Sequence, residues 1–218
     1  MSKITDIEVQ KRNKERVNVY VDGEFTFACD AEFVYKEKLK AGMQIDLAKI
    51  KEIVIGDEFK KCKSTALRII ERSYKSEKEV YNKLIEKGYE EEVATSSLEF
   101  LKEYGYIDDK NYAGMYIRDR LKTEGKNKIK YSLIRKGIDD SIIKEALLEN
   151  SDEEIEMDIA IKLAKRRYDT LKKSESDKYK LSQKLYRFLV GKGYGFDLVS
   201  RVVKKVTNDE FEEEYYES

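Results

Sequence analysis

The stretch EKGYEEEV, Glu86–Val93, has its frame repeated as RKGIDDSI, Arg135–Ile142, and as GKGYGFDL, Gly191–Leu198. Each time a Lys-Gly pair is followed by Tyr or Ile, a short and mostly polar stretch, and an apolar residue at the fifth position past the glycine. A glycine here ends a helix: it takes the left-handed conformation that satisfies the last helical carbonyls, and Tyr89, Ile138 or Tyr194 packs back over that end. Acids such as Asp139 and Asp140 then favour the start of the next helix, at the positive end of its dipole. The motif is a corner between two helices rather than a catalytic loop.

Working outward, the glycines Gly88, Gly137 and Gly193 stand 49 and 56 residues apart, which suits a tandem repeat of about fifty residues. From about Ser64 the apolar positions follow a helical period. Ala66, Leu67, Ile69 and Ile70 mark one helix. Val80, Tyr81, Leu84 and Ile85 mark a second, opened by the capping box Ser76-x-x-Glu79, and Val93, Ala94, Ser97, Leu98 and Leu101 a third. The plan returns with Tyr112, Ala113, Tyr116, Ile117 and Leu121 behind a cap at Asp109, then Ile129, Leu133 and Ile134, then Ile142, Ile143, Ala146 and Leu147. It returns again with Ile155, Ile159, Leu163, Ala164 and Leu171, then Leu181, Leu185, Phe188 and Leu189, then Leu198, Val199, Val202, Val203 and Val206. The expectation is mainly α: three three-helix repeats over 61–107, 108–150 and 151–206, forming an elongated, curved monomer, with an acidic tail at 207–218.

The first 60 residues differ. ITDIEVQ and RVNVYVDGEFTFAC alternate apolar and polar residues, and Asp22-Gly23 signals a type I′ hairpin turn. DAEFVYKEKLKAG reads as a helix capped by Asp30 and stopped at Gly42, and DLAKIKEIVIGDEF as another opened by Asp46. A small α+β domain with a β-hairpin follows for 1–60.

Composition narrows the function. With no histidine, Ser-His and Cys-His nucleophilic pairs are impossible, and neither a phosphate-binding loop nor a dinucleotide fingerprint is present. Cys29 and Cys62 have no metal-ligand spacing and read as small buried residues. No apolar run approaches the roughly 20 residues of a membrane span. The expectation is a cytoplasmic protein that is not an enzyme and carries no cofactor or metal.

ALRIIERSYKSEKEVYNKLIEKGY, LEFLKEYGYIDDKNYAGMYIRDR and SLIRKGI, from Ala66 to Ile138, resemble the RecX family of regulatory proteins, with the likeness extending to Val206. Its most specific part is Gly105-Tyr106-Ile107-Asp108-Asp109 with Tyr112-Ala113 behind it. The resemblance implies three tandem three-helix repeats, no catalysis, and binding in the groove of the RecA recombinase filament, which restrains recombination and ATPase activity in DNA repair. It does not say which residues make the contact.

Charge suggests where to look. Ile117–Lys136 holds 8 basic and 2 acidic residues, Ile159–Val206 holds 14 and 4, and the tail has six acids and no base. Arg118, Arg120, Lys126, Lys128, Lys130, Arg166, Arg167, Lys204 and Lys205 are therefore the candidate contacts, addressing the filament first and DNA secondarily and weakly. Asp108-Asp109 reads as a helix cap rather than a metal site, and Tyr106, Tyr112 and Tyr116 as core. The alternative is an autonomous DNA-binding protein built of helix-turn-helix-like units. The acids opening the third helix of repeats one and two count against it.

Overall fold

The computed structural model describes residues 2–11 and 13–216, with side chains through Asn208. It divides into two compact units, Met1–Asp108 and Asp109–Ser218.

The first unit opens with strands β1 (Ser2–Val9), β2 (Arg16–Val21) and β3 (Glu24–Asp30). Asp22 and Gly23 both take positive φ, 52° and 90°, the pair a type I′ turn demands, and Val21 faces Glu24 across it. Alternation sends Val17, Val19 and Val21 to one face, where they bury with Ile4, Phe27 and Phe33. The helix expected from Asp30 to Gly42 is shorter: α1 spans Ala31–Lys36. Asp30 holds its N-cap position without capping, its carboxylate being bonded instead to Lys61 at 2.8 Å. Lys38 turns the chain at φ 52°, and Gly42, at φ 90°, sits in the turn that feeds β4 (Gln44–Ile45). β4, too short for alternation to show, pairs with Ser2 and Lys3 and completes an antiparallel sheet in the order β3-β2-β1-β4.

Asp46 accepts from the Lys49 amide and starts α2 (Leu47–Arg72), 26 residues long. The two helices expected on either side of position 60 are thus one. Its Val54 belongs to the sheet's core, and its Cys62 and Ala66 to the core of the first repeat. That repeat continues with α3 (Glu77–Glu86), opened by the full Ser76–Glu79 capping box, and α4 (Glu91–Glu103). Between them Gly88 takes φ 89°, its amide donating to Ile85 and that of Tyr89 to Leu84, which satisfies the end of α3 as the corner motif requires.

The second unit holds α5 (Asp109–Arg120), α6 (Lys126–Arg135) and α7 (Asp140–Asn150), then α8 (Glu153–Leu171), α9 (Lys178–Gly191) and α10 (Phe196–Tyr216). Each triplet has a core of its own. Ile129 and Leu133 are fully buried in the first of these, each worth about 1.5–3 kcal/mol by area. Ile134 and Ile155, expected inward, are 43% and 60% exposed. Ile134 is rotated about 100° from Leu133, and Ile155 lies in the first turn of α8, ahead of that helix's core positions. Gly137 and Gly193, at φ 85° and 92°, repeat the corner bonds of Gly88. α10 runs into the acidic tail, whose side chains from 209 lie outside the described residues. No helix is long and apolar enough to cross a membrane among the described residues.

Candidate partner-binding surface

The candidate cations lie on α5, α6, α8 and α10, and the structure sorts them by what each already holds. On α5, Arg118 donates to the Asn150 side chain at 2.8 Å, and Arg120 lies over the Tyr116 ring, 5.4 Å from its centroid. On α6, Lys126 pairs with Glu156 at 2.9 Å, Lys128 with Glu124 at 3.1 Å and Lys130 with Asp140 at 2.7 Å. Glu156 is only 8% exposed, so Lys126 neutralises a nearly buried carboxylate, and its charge is structural before it is anything else. Arg167, on α8, lies over Phe188, 5.5 Å from the ring centroid. Arg166, Lys204 and Lys205 are exposed and have no acidic partner among the described residues. Among the described residues, Arg166, Lys204 and Lys205 are the candidates with no carboxylate, side-chain amide or ring already engaged, and a cation that gives up no partner on binding contributes most to steering and attraction.

Two carboxylates at the start of α7 show the same local use of charge. Asp139 accepts from the backbone and hydroxyl of Ser141, which holds its carboxyl below the usual range. Asp140 is lowered by Lys130 and Lys144. Asp109 begins α5, with Asp108 just before it, and Gly105 takes φ 69° at the end of α4. Tyr112 is buried and Tyr116 half-buried, whereas Tyr106, expected in the core, is 54% exposed.

Sequence reasoning missed two arrangements. In the second unit the corner of the third repeat is bonded to the N-terminus of α6: Gly125 donates to the Lys192 carbonyl at 2.9 Å and Asn127 to that of Gly193 at 3.1 Å. Tyr194 beneath it is buried with its hydroxyl unpartnered among the described residues, and burial, with Glu156 and Glu124 nearby, pushes its phenol up to about 12. In the first unit Arg16, 2% exposed, donates from Nη1 to Glu58 Oε2 at 2.6 Å and lies over Tyr89, while Asn13 donates to the Lys87 carbonyl. The Gly88 corner is thereby tied to the sheet. Burial raises the Glu58 carboxyl and the Cys62 thiol, and pushes the Cys29 thiol up to about 12. A buried arginine gives no periodic signal in sequence. Among the described residues no group of three or more His, Cys, Asp or Glu is placed to hold a metal ion.

Family models match the chain in four successive pieces. These are the regulatory protein RecX N-terminal domain over 2–46, and the first, second and third three-helix domains of RecX over 62–101, 108–147 and 153–203. The regulatory protein RecX of Clostridium perfringens (strain 13 / Type A) is 57% identical over 213 residues, 98% of this chain and 100% of that one. Its counterpart in Clostridioides difficile (strain 630) is 38% identical over 97% of this chain and 100% of its own length. Among solved structures, a crystal structure of regulatory protein RecX superposes with TM-score 0.65 at 28% identity, over 93% of this chain and 98% of that one. RecX from Lactobacillus salivarius gives 0.62 at 26%, over 69% and 97%.

Proposed function

The chain belongs to the RecX family of regulatory proteins, and on that footing we propose that it binds the filament of the RecA recombinase and restrains its recombination and ATPase activities. It acts in the cytoplasm by occupancy, without chemistry of its own. The observation that carries this reading is the match of all four RecX domains, in order, from residue 2 to residue 203. Supporting it, each three-helix repeat closes a core of its own, which leaves its outer helix faces to meet another macromolecule. Arg166, Lys204 and Lys205 make the first contact, with the partnered cations of α5 and α6 behind them.

An autonomous DNA reader fits less well. α4 opens with Glu91 and Glu92 and α7 with Asp140, so phosphates would meet carboxylates at the ends where a recognition helix enters the groove.

The test is a titration of RecA's DNA-dependent ATPase at two salt concentrations, beside binding to naked duplex and naked single strand. Inhibition of the filament at protein concentrations that leave naked DNA unbound is expected. No effect on the ATPase at saturation, or equal binding to naked DNA, overturns the reading.

A further inference from the structure

In the first unit a cleft of about 220 Å³ opens between β3, the middle of α2 and the start of α4. It is smaller than the roughly 300–1,000 Å³ of sites that enclose a small molecule, and holds one or two side chains. Four successive residues of β3, Phe25 through Ala28, line it. A flat strand face would present only alternate residues. The pairing of Val19 with Phe27 and Tyr20 with Phe25 leaves Thr26 as an extra, bulged residue, which breaks the alternation here. β3 is also an edge of the sheet, pairing with β2 alone. Unpaired strand edges accept further extended chain, and a bulge keeps the paired stretch short.

The rest of the lining sets the chemistry. Phe25 and Ile55 are 54% and 57% exposed at the mouth, an apolar pair with no cover. Around them stand Glu90 and Glu92 against one ammonium, Lys51, together with the buried Glu58, whose charge Arg16 already pairs at 2.6 Å. Glu58 is 3% exposed, and only one of its oxygens is bound to Arg16; Oε1 has no partner among the described residues. The cleft is negative, partly apolar, and bordered by a free strand edge.

We propose that this cleft is a docking site for a short extended segment of another protein, which adds to β3 over a few residues and places a Lys or Arg among Glu58, Glu90 and Glu92 with an apolar neighbour against Phe25 and Ile55. Charge counts against the chain's own tail and against a second copy that meets the cleft by the same surface. The chain's own tail carries six acids and no base, and a second copy docked here by the same surface would set these carboxylates against themselves. The site lies in the first unit and is independent of the cations assigned above.

The test selects from a library of random octapeptides displayed on phage, using the full chain as bait. The expected outcome is a consensus with one Lys or Arg beside a β-branched or aromatic residue. The best selected peptide, made synthetically, should slow amide exchange at Thr26–Ala28 and bind about tenfold or more weakly to Glu90→Gln/Glu92→Gln and to Ile55→Glu. Both substitutions are at exposed positions, and matching melting curves establish that the variants fold. Enrichment of no peptide, a consensus lacking a cation, undiminished binding to both variants, or exchange protection elsewhere each overturns the proposal. Failure here leaves the ATPase titration untouched, so the two readings fall separately.

Discussion

Gly125 and Gly193 meet backbone to backbone: a Cβ built on Gly125 would lie 2.5 Å from the carbonyl carbon of Gly193, and one built on Gly193 would run into Lys128 Cβ. The second and third repeats approach at this point more closely than any side chain allows. Glycine at 193 thus serves twice, as a left-handed helix end and as a contact surface, while Gly125, at φ −82°, is needed for space alone.

Gly125→Ala should therefore destabilise the second unit by about 1–3 kcal/mol, as overpacking does. The control is Gly191→Ala, the last residue of α9, with nothing within 4 Å of its would-be Cβ, which should stabilise by up to about 0.5 kcal/mol, less than in a helix interior. Urea melts of the two variants side by side check both signs.

Gly137→Val tests the corner itself. A β-branched residue resists the φ of 85° found there, and the loss should be about 1–3 kcal/mol. Melting at the unchanged temperature would mean that the corner tolerates a side chain. Once corrected for the folded fraction, inhibition of the recombinase should be unaltered.

Arg166→Glu/Lys204→Glu/Lys205→Glu should leave the melting temperature nearly unchanged, since surface substitutions commonly stay within about 0.5 kcal/mol. Inhibition of the filament should weaken and lose much of its salt dependence. Lys126→Ala should behave the other way, lowering stability by about 1–3 kcal/mol because Glu156 is left without its cation, with inhibition following the folded fraction. Equal inhibition by the triple variant and the unchanged chain at both salts would remove these three residues from the contact.

The start of α7 gives a pH signature. Asp139 is held below its ordinary value in the folded chain by Ser141, so its contribution is present above the unfolded carboxylate range and is lost as pH falls through the lowered folded value. Asp139→Ala should melt lower than the unchanged chain at pH 7, and the gap should narrow as acid protonates the carboxylate. A gap independent of pH would point to a cause other than this charge.

Cys29 and Cys62 are buried at 1% and 0% exposure, and burial raises both thiols. Iodoacetamide at pH 8 should leave both unmodified in the folded chain and alkylate both in urea, as mass spectrometry would show. Alkylation of either at the folded rate of a free thiol would contradict its placement.

These tests fall unevenly on what the sequence discloses. The helical period, the Ser76 box, the Asp22-Gly23 turn and the three corner glycines each act through neighbours a few residues away, so the repeat architecture can be read locally. β4 could not, because two residues have no period, and α1 ran short because Lys38, not Gly42, supplied the turn. The basic stretches were visible, but their availability was not. Whether a lysine is free depends on carboxylates such as Glu156 and Asp140, 30 and 10 residues away from Lys126 and Lys130. Burial of Arg16 with Glu58, across 42 residues, lay beyond any local pattern.

The single helix from Leu47 to Arg72 also sets an order of events on the ribosome. Val54 closes the core of the sheet, and Cys62 and Ala66 begin that of the first repeat, yet all three stand on one rod. At roughly 5–20 residues per second, the rod's far half emerges some seconds before Leu98 and Leu101 arrive to cover it. The nascent chain must carry an uncovered apolar stripe through that interval, anchored at its near end by a finished hairpin.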